Sequence, residues 1–288
     1  MPRFWPAAPL VLSLGLALGA CSGDDATPDA SPSSPTSGSP GSSTTASPTS
    51  SLPPAPPADA LETAMAGLRD ARTGEWRLTV SGAQGGWVIR ETGVYQVDPP
   101  ASLALRAAAG AKPRNLTTIS DRTDLWFRGG QGTDLTGCWA HRRLDPQSPT
   151  SELVPPSVQI LFTPAQQTGS TATTIDATVP LRTAAEPFGE VMQLMLNLES
   201  GYGNVPVTFT VEDGALTGYR VALDDVLAVG EEAGVEPVPG LADLHLVAEL
   251  TLLEIGEPVT LGPPAPDEVV ELKPRESVAH GLDRCGRI

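Results

Sequence analysis

The spacing of apolar residues after position 58 first follows the period of a helix. Asp59 precedes a run whose apolar positions are Leu61, Ala64, Met65 and Leu68. Glu62 stands three residues after Asp59, which completes the pattern of a capping box. The pattern therefore predicts an amphipathic helix that begins beside Asp59.

From residue 76 the apolar period becomes two. Trp76, Leu78 and Val80 alternate with polar residues, residues 82–86 are rich in glycine, and 87–97 alternates again. This pattern is typical of a β-hairpin. Further strands are predicted in four shorter stretches: 102–106, 116–120, 125–128 and 138–142.

The second half of the chain repeats the mixture of helix and hairpin. A helix is predicted from Pro187 to Leu198, because its apolar residues share one face: Phe188, Val191, Met195 and Leu198. Alternation over 205–211 and 216–223 brackets a turn at Asp213-Gly214, and a last strand is predicted from Leu244 to Leu253. Residues 146–180, rich in Thr, Gln and Pro, are interpreted as an insertion.

Strands outnumber helices in this pattern, and strands that follow one another in sequence can pair directly. The predicted fold class is therefore α+β: a curved antiparallel β-sheet, or half-barrel, wrapped over a few α-helices. We place this folded domain at residues 59–270 and a C-terminal tail at 271–288.

The N-terminus carries a single basic residue, Arg3, then an apolar run over 10–18 and two small residues before Cys21. Such an order indicates an export signal, too short to span a membrane permanently. Leu18-Gly19-Ala20-Cys21 resembles a lipobox, the site at which lipoprotein signal peptides are cut. The resemblance implies a signal peptide over 1–20, acyl chains such as palmitate on Cys21, and attachment to the extracytoplasmic face of the cell membrane. The alternatives are an ordinary secretory signal or an uncleaved anchor.

Residues 22–58 consist almost entirely of Ser, Thr, Pro, Gly and Ala. A stretch of this composition has too little apolar surface to offset the entropy of ordering it. Residues 21–58 are therefore predicted to be a lipidated, disordered tether that holds the domain away from the membrane.

The chain is acidic, with a formal net charge of −16. An acidic surface repels phosphate backbones, so nucleic acid is excluded as a partner. The basic residues include a group on the predicted strands, Arg128, Arg142 and Arg143. These side chains either hold a lipid phosphate or pair with nearby acids, namely Asp121, Asp124 and Asp134.

Three cysteines occur in the sequence. If Cys21 is acylated, Cys138 and Cys285 remain, and in an oxidising compartment an even remainder predicts a disulfide. The alternative is two separate thiols. Cys138 with His141 has the spacing of two metal ligands, but one such pair does not make a metal site.

No nucleophile elbow, zinc-protease motif or phosphate-binding loop occurs in the sequence, so no catalytic residue, cofactor or metal is assigned. His141 and His245 are interpreted as surface residues on strands. The acidic pairs Asp224-Asp225 and Glu231-Glu232 are interpreted as solvated loop charges rather than as a catalytic dyad.

The order of the elements resembles the LolA-like and LppX/LprG-like envelope lipoproteins over residues 60–270. The resemblance depends on the polar-aromatic strand at 124–127, Cys138-Trp139, the central helix, the hairpin at Asp213-Gly214 and the closing strand that leads to 255–259 and Pro263-Pro264. It implies a half-barrel over helices, with an apolar cavity that holds the acyl chains of a lipid.

The leading hypothesis is a non-enzymatic, membrane-anchored lipoprotein that binds or carries a hydrophobic envelope molecule. Phe188, Val191, Met195 and Leu198 are the predicted ligand-binding residues. Methionines at 65, 192 and 195 either adapt to an apolar ligand or fill an ordinary core. The alternative function is a structural lipoprotein with a closed core that docks an envelope protein, and an extracellular hydrolase is disfavoured by the absent motifs.

Overall fold

The computed structural model describes residues 60–83, 85–109, 114–131, 134–135, 137–144, 155–189, 203–236, 239–273 and 276–285. The helices in these ranges are α1 (Ala60–Ala71), α2 (Pro156–Gln159), α3 (Leu181–Ala185), α4 (Leu223–Glu232) and α5 (Val278–Cys285). Short 3-10 turns cover Ile160–Phe162, Glu186–Phe188, Ala242–Leu244 and Pro266–Glu268. None of the described helices combines the length and the apolar character needed to cross a bilayer.

The strands in the first half of the chain are β1 (Thr73–Ser81), β2 (Trp87–Val97), β3 (Pro100–Ala108), β4 (Arg114–Asp121), β5 (Asp124–Gln131), β6 (Asp134–Leu135) and β7 (Trp139–Arg143). The later strands are β8 (Gln166–Ser170), β9 (Thr174–Pro180), β10 (Asn204–Glu212), β11 (Ala215–Ala222), β12 (Val247–Ile255) and β13 (Val269–Glu271).

These strands join in one open sheet with the order β13-β7-β5-β4-β3-β2-β1-β12-β11-β10-β9-β8, and β6 pairs with β5. β13 runs parallel to β7, whereas the pairs from β7 to β8 along this order are antiparallel. The predicted α+β half-barrel is confirmed, and it remains open because β8 and β13 lie at its two ends.

The first helix and hairpin lie where the sequence predicts them. α1 buries the predicted apolar stripe, and the Trp76, Leu78 and Val80 side chains of β1 are fully buried beside it. We call the face of the sheet that carries these three residues the inner face. Its packed part holds the main core, whose largest fully buried side chains include Trp76, Tyr95, Tyr219 and Phe209.

The helix predicted to start at Pro187 does not begin there. Pro187 lies inside the 3-10 turn Glu186–Phe188, and this turn ends at Gly189, whose φ of 96° does not belong to a right-handed helix. Residues 190–202, which include Val191, Met192, Met195 and Leu198, lie outside the described part of the chain.

The interpretation of 146–180 as an insertion was wrong for its second part. Residues 156–159 form α2, and β8 and β9 extend the sheet beside β10. Ile175, Ala177 and Val179 alternate with polar residues and are buried in the core. Threonine favours strands as other β-branched residues do, so the Thr-rich composition is itself compatible with a sheet.

The loop interpretation of the acidic pairs was also wrong, because both lie on α4. This helix buries Leu223 and Val226, while Asp224 and Asp225 occupy its first turn. Acidic residues there are stabilised by the free N–H groups at the helix start. β12 starts at Val247 instead of Leu244, because His245 adopts a left-handed conformation with φ of 42° after a 3-10 turn.

The C-terminal residues extend the sheet beyond residue 270. β13 pairs with β7 over Val269, Val270 and Glu271, and α5 then packs against this end of the sheet. A Cβ placed on Gly281 would lie 3.3 Å from the Ala140 Cβ of β7, so α5 and β7 approach closely at this point.

Candidate functional site

The inner face continues from β1 and β2 onto β3, β4 and β5. Because paired residues point to the same side, the register places the next inner positions at Ala104, Arg106, Leu116, Thr118 and Phe127. All five are half-buried, unlike the fully buried inner residues of β1. We call these five residues the open face.

A buried polar network borders the open face on the side of the core. The Glu91 carboxylate of β2 accepts hydrogen bonds from Trp76 Nε1 at 3.2 Å and from the Ser157 hydroxyl. Its second oxygen pairs with Arg106 Nη1 at 3.2 Å, and Arg106 Nη2 donates to the Pro187 carbonyl at 3.0 Å. The network thus ties three neighbouring strands to α2 and to the turn before Gly189.

Pairing explains how a carboxylate is tolerated inside this fold. The Glu91 side chain is 5% exposed, whereas Arg106 is 24% exposed. A buried charge is unfavourable unless it has an opposite charge and hydrogen-bond donors, and Glu91 has both. Arg106 therefore belongs at once to the buried network and to the open face.

Two tyrosines beside the network differ in their hydrogen bonding. The Tyr219 hydroxyl donates to the Ser157 carbonyl at 2.5 Å, and burial together with the Glu91 charge raises the pKa of Tyr219. Burial also raises the pKa of Tyr95, but its hydroxyl has no hydrogen-bond partner among the described residues. Gly74 makes room for the Tyr95 ring, since a Cβ there would lie 2.7 Å from the hydroxyl oxygen.

The Trp76 ring separates the core from the open face. A Cβ on Gly93 would lie 2.4 Å from this ring, so only glycine lets the indole lie across β2. Gly93 pairs with Ala104, the first residue of the open face. The glycine was not recognised in the sequence, because nothing in the alternation marks which glycine lies beneath a large ring.

Helix α5 borders the open face on its other side. A Cβ on Gly129 would come within 2.9 Å of Leu282 Cδ1 and 3.7 Å of Leu116 Cδ1. Leu282 therefore lies on the inner face of β5, next to the open-face residue Leu116. The open face is a strip between the buried network and α5.

The structure describes only one of the four predicted ligand-binding residues, Phe188. Phe188 is 6% exposed and packs with the main core. Val191, Met195 and Leu198 lie outside the described residues, so their role stays a prediction. Met65 is buried in the core, which favours the core-filling interpretation for this methionine.

The three arginines do not form one cluster. The register places Arg142 on the inner face with Leu125, and Arg128 and Arg143 on the opposite face. Arg142 donates to the Glu276 carbonyl at 2.8 Å, and the Arg128 guanidinium lies 5.8 Å from the centre of the Trp139 ring. The hypothesis that these three arginines hold a lipid phosphate together is therefore wrong. Successive residues of a strand point to opposite faces of the sheet, so Arg142 lies on a different face from Arg128 and Arg143.

Two histidines contact carboxylates. His141 lies on β7 as predicted, whereas the prediction that His245 lies on a strand was wrong, because this residue precedes β12. His141 Nε2 lies 2.7 Å from Asp124 Oδ1, and His245 Nδ1 lies 2.8 Å from Asp224 Oδ2. The hydrogen bond with Asp224 raises the pKa of His245. Within the described residues, no group of three or more His, Cys, Asp or Glu side chains is arranged to hold a metal ion.

The chain matches neither a protein-family model nor a curated protein. Among solved structures it is similar to LprF from Mycobacterium bovis, with 11% identity, a TM-score of 0.40, and coverage of 72% of this chain and 96% of that chain. It is also similar to the lipoprotein LppX of Mycobacterium tuberculosis, with 14% identity, a TM-score of 0.36, and coverage of 70% of this chain and 96% of that chain. These likenesses concern the fold and do not bear on the ligand.

Proposed function

We propose that this chain is an extracytoplasmic lipoprotein, anchored to the membrane through Cys21, whose domain binds or carries a hydrophobic envelope molecule on the open face. The observation that carries this proposal is the half-buried strip beside a fully packed core. Ala104, Leu116 and Phe127 give the strip apolar surface, and each Å² that a ligand removes from water contributes about 25 cal/mol.

The position of Gly189, the residue before the 190–202 segment, also supports a ligand site at the open face. A Cβ on Gly189 would lie 3.1 Å from Arg106 Nη2, so the chain enters this segment beside the open face. The segment carries three of the four ligand-binding residues predicted from the sequence: Val191, Met195 and Leu198. These residues and the open face contact the same ligand in this proposal.

The binding proposal is tested by filling the open face. Thr118→Trp places a large ring between Ala104 and Phe127, its partners on both sides, and we expect it to abolish binding of a fluorescent fatty acid. Leu105→Trp is the matched control, because Leu105 is 47% exposed on the opposite face of β3. Thermal unfolding of both variants verifies that they fold.

Either of two results contradicts the proposal: a parent protein that binds no acyl probe, or a folded Thr118→Trp variant that binds it as tightly as the parent. Val191→Trp extends the test to the 190–202 segment. It is expected to block uptake at little cost in stability if residue 191 faces a ligand, and to cost roughly 1–3 kcal/mol if the residue is packed in a core.

The anchor has its own test. Cys21→Ala removes the proposed acylation site, so labelled fatty acid should no longer be incorporated into the protein in cells. The protein should then either keep its signal peptide or be released into the medium. Continued labelling of the Cys21→Ala chain contradicts the anchor.

We also infer that Cys138 and Cys285 form a disulfide. Cys138 is 9% exposed and directly precedes β7, and Cys285 is the last residue of α5, which packs against β7. Denatured but unreduced protein from the envelope should therefore contain neither thiol in alkylatable form. Alkylation of both would contradict the bond.

A further inference from the structure

The outer face of the sheet, opposite the inner face, carries a row of basic and apolar side chains across five strands. The strand register aligns Arg77 of β1 with Thr92, Leu105, Thr117 and Arg128 on β2, β3, β4 and β5. Neighbouring strands lie about 4.8 Å apart, so the row is about 19 Å long. An arginine therefore stands at each end of this row, and a leucine stands at its centre.

The side chains in and beside this row are open to solvent. Leu105 is 47% exposed, and Val88 is 37% exposed. Arg77 and Arg90 are exposed as well. Alternate residues of a strand share a face, so Val88 and Arg90 lie on the outer face of β2. We call Arg77, Val88, Arg90, Leu105 and Arg128 the outer patch.

The acidic residues that the register places on the same face lie beside the patch rather than within it. Glu249 of β12 pairs with Arg220 at 3.3 Å. Glu75 lies two residues before Arg77 on β1, and Asp121 lies about 13 Å along β4 from the row. The patch therefore carries a positive formal charge, although the net charge of the chain is −16.

A partner that contacts the patch responds to these local charges more than to the net charge. At physiological ionic strength, interactions between exposed charges are screened over about 8 Å. Guanidinium groups match the geometry of phosphate oxygens, and exposed apolar side chains such as Leu105 and Val88 favour the boundary between headgroups and acyl chains. An anionic phospholipid surface offers both kinds of contact together.

We propose that the outer patch docks the domain on a bilayer that contains anionic phospholipids. Charge complementarity on an otherwise acidic chain carries the choice of this partner. The proposal rests on the Cys21 anchor of the proposed function in one respect, because the anchor keeps the domain close to a membrane, and it does not depend on the ligand. Since α1 and the open face lie on the inner side of the sheet, docking directs both away from the bilayer.

Docking is tested with the acylated full chain in phosphatidylcholine vesicles, with and without phosphatidylglycerol. A fluorophore is attached at Thr92→Cys, in the row of Leu105, or at Ala66→Cys, an exposed position on α1. Energy transfer to a labelled lipid reports how close each position lies to the bilayer. We expect phosphatidylglycerol to raise the transfer from position 92 several-fold and to leave the transfer from position 66 low. The rise should disappear at 1 M salt, where the screening length is about 3 Å.

Two arginines of the patch are then neutralised in a double variant, Arg77→Gln with Arg90→Gln. On vesicles with phosphatidylglycerol, the ratio of docked to undocked chains should fall about five-fold for each arginine. Arg122→Gln is the matched control, because Arg122 is exposed in the turn between β4 and β5, outside the patch. Thermal unfolding verifies that each variant folds, and the salt dependence of the parent needs no variant.

Three results would overturn the proposal: transfer from position 92 that does not respond to phosphatidylglycerol, equal transfer from positions 66 and 92, or a folded double variant that docks like the control. A response of the fluorophore at position 92 to polyglutamate, without a response to phosphatidylglycerol, would instead assign the patch to an acidic protein.

Flotation of the unlabelled chain with vesicles tests the anchor separately. A chain that floats with phosphatidylcholine vesicles, but whose transfer ignores phosphatidylglycerol, keeps the anchor and loses the docking proposal. A chain that floats only with vesicles that contain phosphatidylglycerol keeps the docking proposal and loses the anchor.

Discussion

The two halves of the inner face belong to one sheet and follow one alternation, yet they are covered differently. Beneath β1, β12, β11, β10 and β9 the inner residues are buried against α1, α3 and α4. On β3, β4 and β5 the corresponding positions of the open face are half-buried, and α5 borders them. The difference shows that alternation determines which side of a strand faces inward, whereas the covering elements determine whether that side is core or surface.

A matched pair of leucines gives the largest expected contrast. Leu78 on β1 is fully buried, and Leu116 on β4 is half-buried on the same face. Leu78→Ala should lower the free energy of unfolding by about 4 kcal/mol, through lost burial and a cavity, and Leu116→Ala by about 1 kcal/mol. Urea unfolding of the two variants measures both values, and equal losses would contradict the division of the face.

A substitution at the boundary between the two halves should lower the free energy of unfolding by nearly as much. Glu91→Ala leaves Arg106 without its ion pair and Trp76 and Ser157 without their acceptor, so we expect a loss of about 3 kcal/mol. The control is Glu249→Ala, which removes an exposed pair with Arg220 and should cost about 0.5 kcal/mol or less. If the Glu91→Ala variant were as stable as the control variant, the buried network would not contribute to the stability of the fold at this boundary.

The two tyrosines provide the smallest contrast. Tyr219→Phe deprives the Ser157 carbonyl of a donor and should cost about 1–2 kcal/mol. Tyr95→Phe removes a buried hydroxyl that has no partner among the described residues, so its effect should be near zero or slightly stabilising. Thermal unfolding compares them, and a larger loss for Tyr95→Phe would indicate that its hydroxyl has an unrecognised partner, such as a buried water.

The packed half was largely predictable because local patterns and tertiary structure agree there. The α1 stripe, the hairpin that begins at Trp76 and the hairpin at Asp213-Gly214 are confirmed with shifts of a few residues at their ends. α4 was missed because two acidic pairs, read in isolation, suggest a loop. Their apolar partners Leu223 and Val226 reveal the helix only when the whole turn is considered.

The candidate site was harder to predict because it depends on contacts between distant residues. Glu91, Arg106 and Ser157 meet only after β2, β3 and α2 have assembled, and no spacing in the sequence links them. The same holds for His141, whose two carboxylate partners come from 17 residues before it and 130 residues after it. Sequence patterns give the face of each strand, and the sheet order gives the neighbours.

The most direct test of the account is to locate a bound acyl chain within the domain. A fatty acid that carries a nitroxide label broadens the NMR signals of methyl groups near it. We predict broadening at the methyl groups of Ala104, Leu116 and Thr118 on the open face, and none at Leu78 and Leu250 in the packed core. Broadening of the core methyl groups, or none at the open face with the probe in excess, would contradict the assignment of the open half as the ligand-binding half.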